Sequence, residues 1–265
     1  MSKRILITFG GRAYDAQVAK QCTALRCSPY EYSEIITHFV YDDAWLITTP
    51  FYALNRWIFE RQPQHGFGFC SWKPFIIQHA LHNFASQGDV VMYLDGDTYP
   101  IADISCLFEY AERQGVMLFE EQGCVNKTWI KEECFRTMGV APGWMLPRDA
   151  MHACGRFQLF RKGDYRNDQF LAEWQTYSLN PRCTFHGGSI SGDPDDPSFI
   201  RNSCEQSVLS LLAYMYNIPL HRTPDQNGWP VSDGYKPEDA YPRLFVQDGA
   251  RGNVGDLSGS RYRNV

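Results

Sequence analysis

The chain has 265 residues, of which 44% are hydrophobic and 21% are charged. This length and composition allow a full hydrophobic core, and we expect a single α/β domain. The formal net charge of -5 and the isoelectric point near 5.8 give no broad basic surface. The charge balance therefore weighs against nucleic acid as a general partner.

Cysteine usage and hydropathy indicate the compartment. The nine cysteines are scattered and include no close C-x-x-C pair, so neither a disulfide framework nor a zinc site is predicted. Residues 1–9 are too short for a signal peptide, and the longest apolar region, residues 208–220, is too short to span a membrane. We therefore expect a cytoplasmic protein with no transmembrane segment.

The chain opens with a predicted strand, loop and helix. A strand over residues 4–9 is followed by Gly10-Gly11 and by helix-forming residues 13–25. Such a loop lets a nucleotide approach the backbone, and the helix start offers unpaired N–H groups to a phosphate. The candidates for donor binding here are Thr8, Gly10, Arg12 and Tyr14. The alternative is a tight turn that binds nothing.

A lysine stands at the start of a later predicted helix, in the sequence Trp72-Lys73-Pro74. Pro74 fits the first turn of a helix, and apolar residues follow it at helical spacing. Because a cation is disfavoured at a helix N-terminus, Lys73 is predicted to serve a ligand, namely a diphosphate. Trp72 either stacks on that ligand or fills the core.

Residues 90–97 join a buried strand to two carboxylates. Five apolar or aromatic residues predict an interior strand of a parallel sheet, and open α/β sheets bind ligands at the carboxyl ends of such strands. Asp95 and Asp97 would lie at that edge, with Gly96 allowing close backbone approach. Two hard oxygen ligands suit Mn²⁺ or Mg²⁺, whereas an ordinary Asp-Gly-Asp turn is the alternative.

Several segments together resemble bacterial and viral glycosyltransferases with the GT-A fold, which are distantly similar to glycogenin. The early part of the resemblance is carried by residues 66–74 with the helix after them, and by residues 88–97. The later part is carried by residues 129–139, 157–162, 170–174 and 205–212. The resemblance extends over roughly residues 4 to 222.

The resemblance implies a metal-dependent hexosyl- or pentosyltransferase that uses a nucleotide-diphosphate sugar. The expected donor is a UDP-sugar. It implies a single GT-A (Rossmann-like) α/β domain over residues 1–246, with a mixed sheet and helices on both faces. Asp95 and Asp97 would hold the cation. Glu205 and Gln206 would act at the sugar, and the acidic-Gln pair favours retention of configuration.

The chain departs from this family in two places. Family members usually carry Asp where this chain has Glu205. Glycogenin-like enzymes take a third metal ligand from a late histidine block, but this chain has no histidine after His221. His221 is the candidate third ligand, and the alternative is a purely structural histidine with no third protein ligand.

Two segments without periodicity complete the chain. Residues 186–197 are rich in Gly, Pro and Asp and predict a mobile loop, either a lid or acceptor loop or a plain surface loop. Residues 247–265 are polar and Gly-rich, and they predict a flexible C-terminal tail, with a segment that folds over the pyrophosphate as the alternative.

Acceptor identity stays open at this level: a glycan, a lipid-linked sugar, a protein or a modified DNA base would all fit. Two rival functions also remain. One is a catalytically inactive protein that binds a nucleotide or glycan with the same fold. The other is a sugar-nucleotide nucleotidyltransferase or hydrolase, which would also use a metal and carboxylates at a strand end.

Overall fold

The computed structural model describes residues 2–11, 14–27, 29–30, 32, 36–62, 67–225 and 239–248. The strands are β1 Arg4–Phe9, β2 Ile36–Tyr41, β3 Val90–Leu94, β4 Thr98–Pro100, β5 Val116–Val125, β6 Met151–Arg161, β7 Leu220–His221 and β8 Phe245–Gln247. Within the described residues, six strands form one sheet in the order β2-β1-β3-β6-β5-β7, and β4 pairs with β8 in a separate ribbon.

Helices connect these strands. They are α1 Asp15–Arg26, α2 Asp43–Leu46, α3 Pro50–Arg61, α4 Trp72–Asn83, α5 Ser105–Gln114, α6 Asn126–Trp129, α7 Glu132–Thr137, α8 Leu146–Asp149, α9 Tyr165–Ser178, α10 Pro181–Thr184 and α11 Glu205–Met215. A short 3-10 turn, Phe67–Cys70, precedes α4.

The sheet is mixed, as the sequence predicted. β1 pairs in parallel with both β2 and β3, while β6 runs antiparallel to β3 and to β5. The carboxyl ends of β1, β2 and β3 therefore meet at one edge of the sheet. All five residues of β3 are buried, as expected for an interior strand.

Helices cover both faces of the sheet, which confirms the predicted fold class. On one face, Val91 and Phe160 belong to the same buried cluster as Ile77 of α4, Trp174 of α9 and Leu209 of α11. On the other face, a second buried cluster is made by residues of the sheet, α1 and α5: Leu6, Leu25, Val90, Met92, Leu107, Phe108, Ala111 and Leu159. Alternating strand side chains thus supply two cores.

The end of the described chain returns to the sheet edge. β8 pairs antiparallel with β4, and its last residue, Gln247, lies opposite Thr98. This residue is the first of the segment that the sequence assigned to a tail, and residues 249–265 lie outside the described part. Among the helices that are described, none is both long and apolar enough to cross a membrane.

Candidate active site at the carboxyl edge of β1 and β3

The Asp-Gly-Asp segment packs directly on the end of β1. A methyl group added at Gly96 would lie 2.8 Å from the carbonyl oxygen of Phe9 and 2.8 Å from Val18 Cγ2. The same methyl would lie 3.6 Å from Thr8 Oγ1. Only glycine fits this close approach, so the structure brings Asp95 and Asp97 to the strand end that carries Thr8 and Gly10.

Helix α1 fixes the backbone of this segment. Gln21 is fully buried, and its Nε2 donates to the carbonyl oxygens of Asp95 at 3.0 Å and Thr98 at 2.6 Å. Tyr14 lies at the N-cap of the same helix. Its burial and the charges of Asp97 and Asp95 raise the pKa of Tyr14 to about 12, so its hydroxyl stays protonated beside the carboxylates.

Asp95 is held from the α4 side of the sheet. Tyr93, two residues earlier in β3, donates its hydroxyl to Asp95 Oδ1 at 2.6 Å. Lys73 Nζ lies 3.4 Å from the same oxygen. The Asp95 side chain is 31% exposed, and its Oδ2 has no hydrogen-bond partner among the described residues. One oxygen is therefore fixed by the protein while the other is available to a ligand.

Lys73 is a buried cation with three oxygen partners. Besides Asp95, its Nζ lies 3.0 Å from Glu205 Oε1 and donates to the carbonyl oxygen of Gly155 at 2.7 Å. Burial alone would lower the pKa of Lys73, but the charges of Asp95 and Glu205 raise it above its ordinary value. The sequence predicted that Lys73 binds a diphosphate. In the structure its N–H groups are directed to protein oxygens instead.

Glu205 begins helix α11 and is only 4% exposed. Burial raises its pKa above the ordinary glutamate value, and the neighbouring charge of Lys73 opposes that rise. A carboxylate in such dry surroundings depends on its cation to remain ionised. Lys73 therefore links Glu205, at the start of α11, to the metal-ligand candidate Asp95.

The backbone before each member of this ion pair is unusual. Cys70, three residues before Lys73, has φ 55°, and Cys204, directly before Glu205, also has φ 55°. Left-handed conformations are uncommon for residues other than glycine and typically cost about 1 to 3 kcal/mol. Such strain is concentrated at functional sites, which makes this pair of turns a second indication that the cluster has a function.

Gln206 packs against β6, whereas Trp72 lies in the hydrophobic core. Gln206 Nε2 donates to the carbonyl oxygen of Ala153 at 2.8 Å, which places the side chain against β6, next to Gly155. Trp72 is buried, stacks on Phe9 with ring centroids 3.9 Å apart, and donates its Nε1 to the carbonyl oxygen of Phe67. These contacts favour the core interpretation of Trp72.

Asp97 is held by residues of the β4–β8 ribbon. Thr98 donates its hydroxyl to Asp97 Oδ1 at 3.1 Å, and Gln247 of β8 donates its Nε2 to Oδ2 at 3.0 Å. Burial and the negative charge of Asp95 raise the pKa of Asp97. Two carboxylates that repel each other in a partly buried site would be stabilised by a cation between them.

The two carboxylates fit Mn²⁺ or Mg²⁺. Both offer hard oxygen ligands, and Mg²⁺ in particular is commonly bound by one or two carboxylates together with substrate phosphates. No group of three or more His, Cys, Asp or Glu side chains within the described residues is arranged to hold a metal ion. The protein would thus supply Asp95 and Asp97, and phosphate or water would complete the coordination.

His221 lies away from these carboxylates. It ends β7 at the edge of the sheet, and β6 and β5 lie between β7 and β3. His221 is buried, and its Nδ1 is 2.7 Å from Asp239 Oδ1. The described residues do not bring it together with Asp95 and Asp97, and its role as a metal ligand stays a prediction. Arg12 lies outside the described residues.

The loop of residues 186–197 is held against α7. Asp195 accepts hydrogen bonds from the backbone N–H groups of Glu132 at 2.7 Å and Ser189 at 3.0 Å, and Asp193 pairs with Arg136 at 2.7 Å. His186 at its start lies 3.4 Å from the thiol of Cys204, next to Glu205. The loop therefore begins beside the candidate site, and its role as a lid or acceptor loop stays a prediction.

Several residues that support the site were not predicted from the sequence. Tyr93 could have been predicted, because residues two apart in a strand share a face and the Tyr93 side chain is therefore expected on the same face as Asp95. Arg156 could also have been predicted, as a charged residue inside the apolar strand β6. Gln21 and Gln247 could not, since a single glutamine in a helix or a polar segment is ordinary.

Comparisons with known proteins give similarity at the level of structure alone. No protein-family model matches the chain, and no curated protein matches it. Three similar solved structures are the apo forms of the bifunctional glycosyltransferase WbbM, mouse xyloside xylosyltransferase 1 and the glycosyltransferase GlyE of Streptococcus pneumoniae TIGR4. Two of these proteins are named as glycosyltransferases and one as a xylosyltransferase.

The similarity to each is low. The TM-scores are 0.48 for WbbM, 0.44 for the xylosyltransferase and 0.37 for GlyE, with identities of 12%, 13% and 14%. The matches cover 80%, 84% and 80% of this chain, and 37%, 85% and 43% of the respective partner chains. The chain thus spans less than half the length of the WbbM and GlyE structures. Conclusions about function depend on the residues of the site itself.

Proposed function

We propose that this protein is a metal-dependent glycosyltransferase that moves a sugar from a nucleotide-diphosphate sugar to an acceptor hydroxyl. The proposed donor is a UDP-sugar. The observation that carries the proposal is one connected cluster at the carboxyl edge of β3. Asp95 and Asp97 follow the strand, and Lys73 joins Asp95 to the buried Glu205. Open α/β sheets bind ligands at this edge.

Asp95 and Asp97 would hold Mn²⁺ or Mg²⁺ against the donor diphosphate. When bound, the cation offsets the negative charge that develops on the leaving diphosphate. Tyr93 and Gln247 each fix one carboxylate oxygen, which keeps the remaining lone pairs oriented. Thr8, Gly10, Arg12 and Tyr14, at or following the end of β1, are the candidates for contacts with the nucleotide.

Lys73 would act on the donor through its carboxylate partners. Its three N–H groups have three oxygen partners, so its charge stabilises the buried Glu205 carboxylate and holds Asp95 in position. This role differs from the direct diphosphate contact that the sequence predicted. Both roles make Lys73 essential to donor use, and they differ in the effect of its removal on stability.

Glu205 and Gln206 would act at the sugar. A buried carboxylate with a raised pKa suits either a general base at the acceptor hydroxyl or, with Gln206, a polar cradle for an oxocarbenium-like sugar. We propose the second role and a retaining reaction, because of the resemblance of the acidic-Gln pair to glycogenin-like enzymes. The acceptor would be a glycan, a lipid-linked sugar, a protein or a modified DNA base, and the proposed location is the cytoplasm.

A panel of nucleotide sugars tests the proposal without knowledge of the acceptor. The protein is incubated with UDP-, GDP- and other nucleotide sugars in Mn²⁺, and the release of nucleoside diphosphate is measured. We expect slow release from one donor, lost in EDTA and in Asp95→Asn. Release of a nucleoside monophosphate would instead indicate a sugar-nucleotide hydrolase. Tight binding of a nucleotide sugar without turnover of any donor would indicate an inactive binding protein.

A further inference from the structure

The second metal-ligand candidate is held by a segment from the other end of the chain. Gln247 donates its Nε2 to Asp97 Oδ2 at 3.0 Å, and the backbone N–H of Asp248 donates to the carbonyl oxygen of Asp97 at 2.6 Å. The β4–β8 ribbon places this segment, because Gln247 lies opposite Thr98 in its register. Asp97 is thus fixed through both its side chain and its backbone.

Gln247 is itself fixed by Arg156. Arg156 Nη1 donates to Gln247 Oε1 at 3.2 Å, and its Nη2 lies 3.3 Å from Glu121 Oε1 and 3.4 Å from Asp225 Oδ2. The Arg156 side chain is 14% exposed and that of Asp225 is 1% exposed. Burying charged groups costs solvation free energy and contributes little net stability. We therefore expect this buried cluster to have a role other than stabilising the fold.

The chemistry of the amide gives that reason. A guanidinium has only donors, so Gln247 must turn its oxygen toward Arg156 and its NH₂ group toward Asp97. Arg156 therefore decides which end of the amide meets the carboxylate. With Oδ2 held in this way and Oδ1 accepting from Thr98, the plane of the Asp97 carboxylate is set before any cation arrives.

We propose that Gln247 is a positioning residue for the metal site, which orients Asp97 under the control of Arg156. This inference rests on the proposed function, since it requires that Asp97 ligate a cation. The structure supports the two carboxylates by separate contacts, namely Tyr93 and Lys73 for Asp95, and Gln247 with Arg156 for Asp97. Removal of the Gln247 side chain would remove the support of Asp97.

Mn²⁺ affinity is the direct readout. The dissociation constant is measured from the EPR signal of unbound Mn²⁺, with and without UDP, for the wild type and for Gln247→Leu, which removes the amide at similar volume. Loss of partners that orient metal ligands typically weakens metal binding 10- to 100-fold, and we expect a loss of about that size. At saturating Mn²⁺ the turnover number should recover, because the reacting groups are intact.

The matched control is Gln78→Leu. Gln78 is also half-buried and also donates one hydrogen bond from Nε2, to the carbonyl oxygen of Leu171 at 2.9 Å, but it belongs to the body of α4. We expect this variant to bind Mn²⁺ as the wild type does. If Gln247→Leu does not fold, Gln247→Met, which keeps an unbranched side chain, is measured in its place.

Arg156→Lys, which keeps the positive charge, tests the second link. We expect it to weaken Mn²⁺ binding in the wild type and to add little in Gln247→Leu, because its effect passes through the amide. An equal effect in both backgrounds would overturn the assigned role of Arg156. Wild-type Mn²⁺ affinity in folded Gln247→Leu would overturn the whole inference while leaving the proposed function intact. Absence of Mn²⁺ binding by the wild type would instead refute the proposed function itself.

Discussion

Lys73→Met is expected to lose both stability and donor turnover. The substitution leaves Glu205 and Asp95 without their shared cation, and Glu205 is only 4% exposed. Removing one partner of a buried ion pair typically costs about 3 to 5 kcal/mol, a large part of the stability of a domain. Urea unfolding followed by circular dichroism measures the loss, and the nucleotide-sugar assay measures turnover.

A surface lysine provides the control for this prediction. Lys127 Nζ lies 2.7 Å from Asp149 Oδ1, but both side chains are substantially exposed, at 32% and 50%. Because exposed ion pairs contribute little, Lys127→Met should unfold close to the wild type. If Lys73→Met is as stable as Lys127→Met and loses only donor affinity, then Lys73 contacts the diphosphate directly, as the sequence alone suggested.

The pH dependence of Lys73→Met has a defined sign. Burial already raises the pKa of Glu205, and removal of the lysine takes away the charge that most strongly opposes that rise. A carboxyl whose folded-state pKa is raised binds a proton more readily in the folded protein. The variant should therefore regain stability relative to the wild type as the pH falls through that raised pKa.

Glu205→Gln is expected to separate catalysis from folding. The amide keeps the shape of the side chain and an oxygen for Lys73, and Asp95 remains an anionic partner of the lysine at 3.4 Å, so the buried cation is not left unpaired. The substitution removes the charge that would face the sugar. We expect transfer to fall by about a hundredfold or more, with melting temperature and nucleotide affinity close to the wild type. Rate and melting temperature are measured on the same preparation, and the anomeric configuration of the wild-type product is determined by NMR.

The competing explanation for Glu205 is a structural role at the helix N-terminus. An acidic residue in the first turn interacts favourably with the helix dipole, and its loss would cost about 0.3 to 1 kcal/mol with transfer largely kept. Glu132→Gln is the control, because Glu132 also begins a helix, α7, and also pairs with a cation, Arg148 at 2.8 Å. Full transfer activity in Glu205→Gln would exclude a catalytic role.

The sheet and its ligand edge could be predicted from the sequence because their signals are local. Residues 4–9 and 90–94 have the apolar content of buried strands, and the structure confirms both as β1 and β3. Once these strands are parallel neighbours, Thr8, Gly10 and the Asp-Gly-Asp segment must meet at one edge. The helix predicted after Trp72 is likewise α4.

Contacts between distant segments could not be predicted in this way. Nothing in the segment around Lys73 or in the one around Glu205 indicates that their side chains form a buried pair, because the packing of α4 and α11 on the sheet decides it. Gln247 is the clearest case. Its polar, glycine-rich surroundings favour a tail, and only the pairing of β8 with β4 reveals its contact with Asp97.

We propose that Asp95 and Asp97 bind a cation together with a nucleoside diphosphate. Thermal-shift titration with UDP and GDP, in Mn²⁺ and in EDTA, tests it on the wild type and on Asp95→Asn and Asp97→Asn. A nucleotide at about 100 times its dissociation constant should stabilise the fold by about 2.7 kcal/mol. We expect this stabilisation by nucleotide in the wild type only when Mn²⁺ is present, and we expect its loss in EDTA and in both variants. Equal stabilisation by nucleotide with and without metal would contradict it.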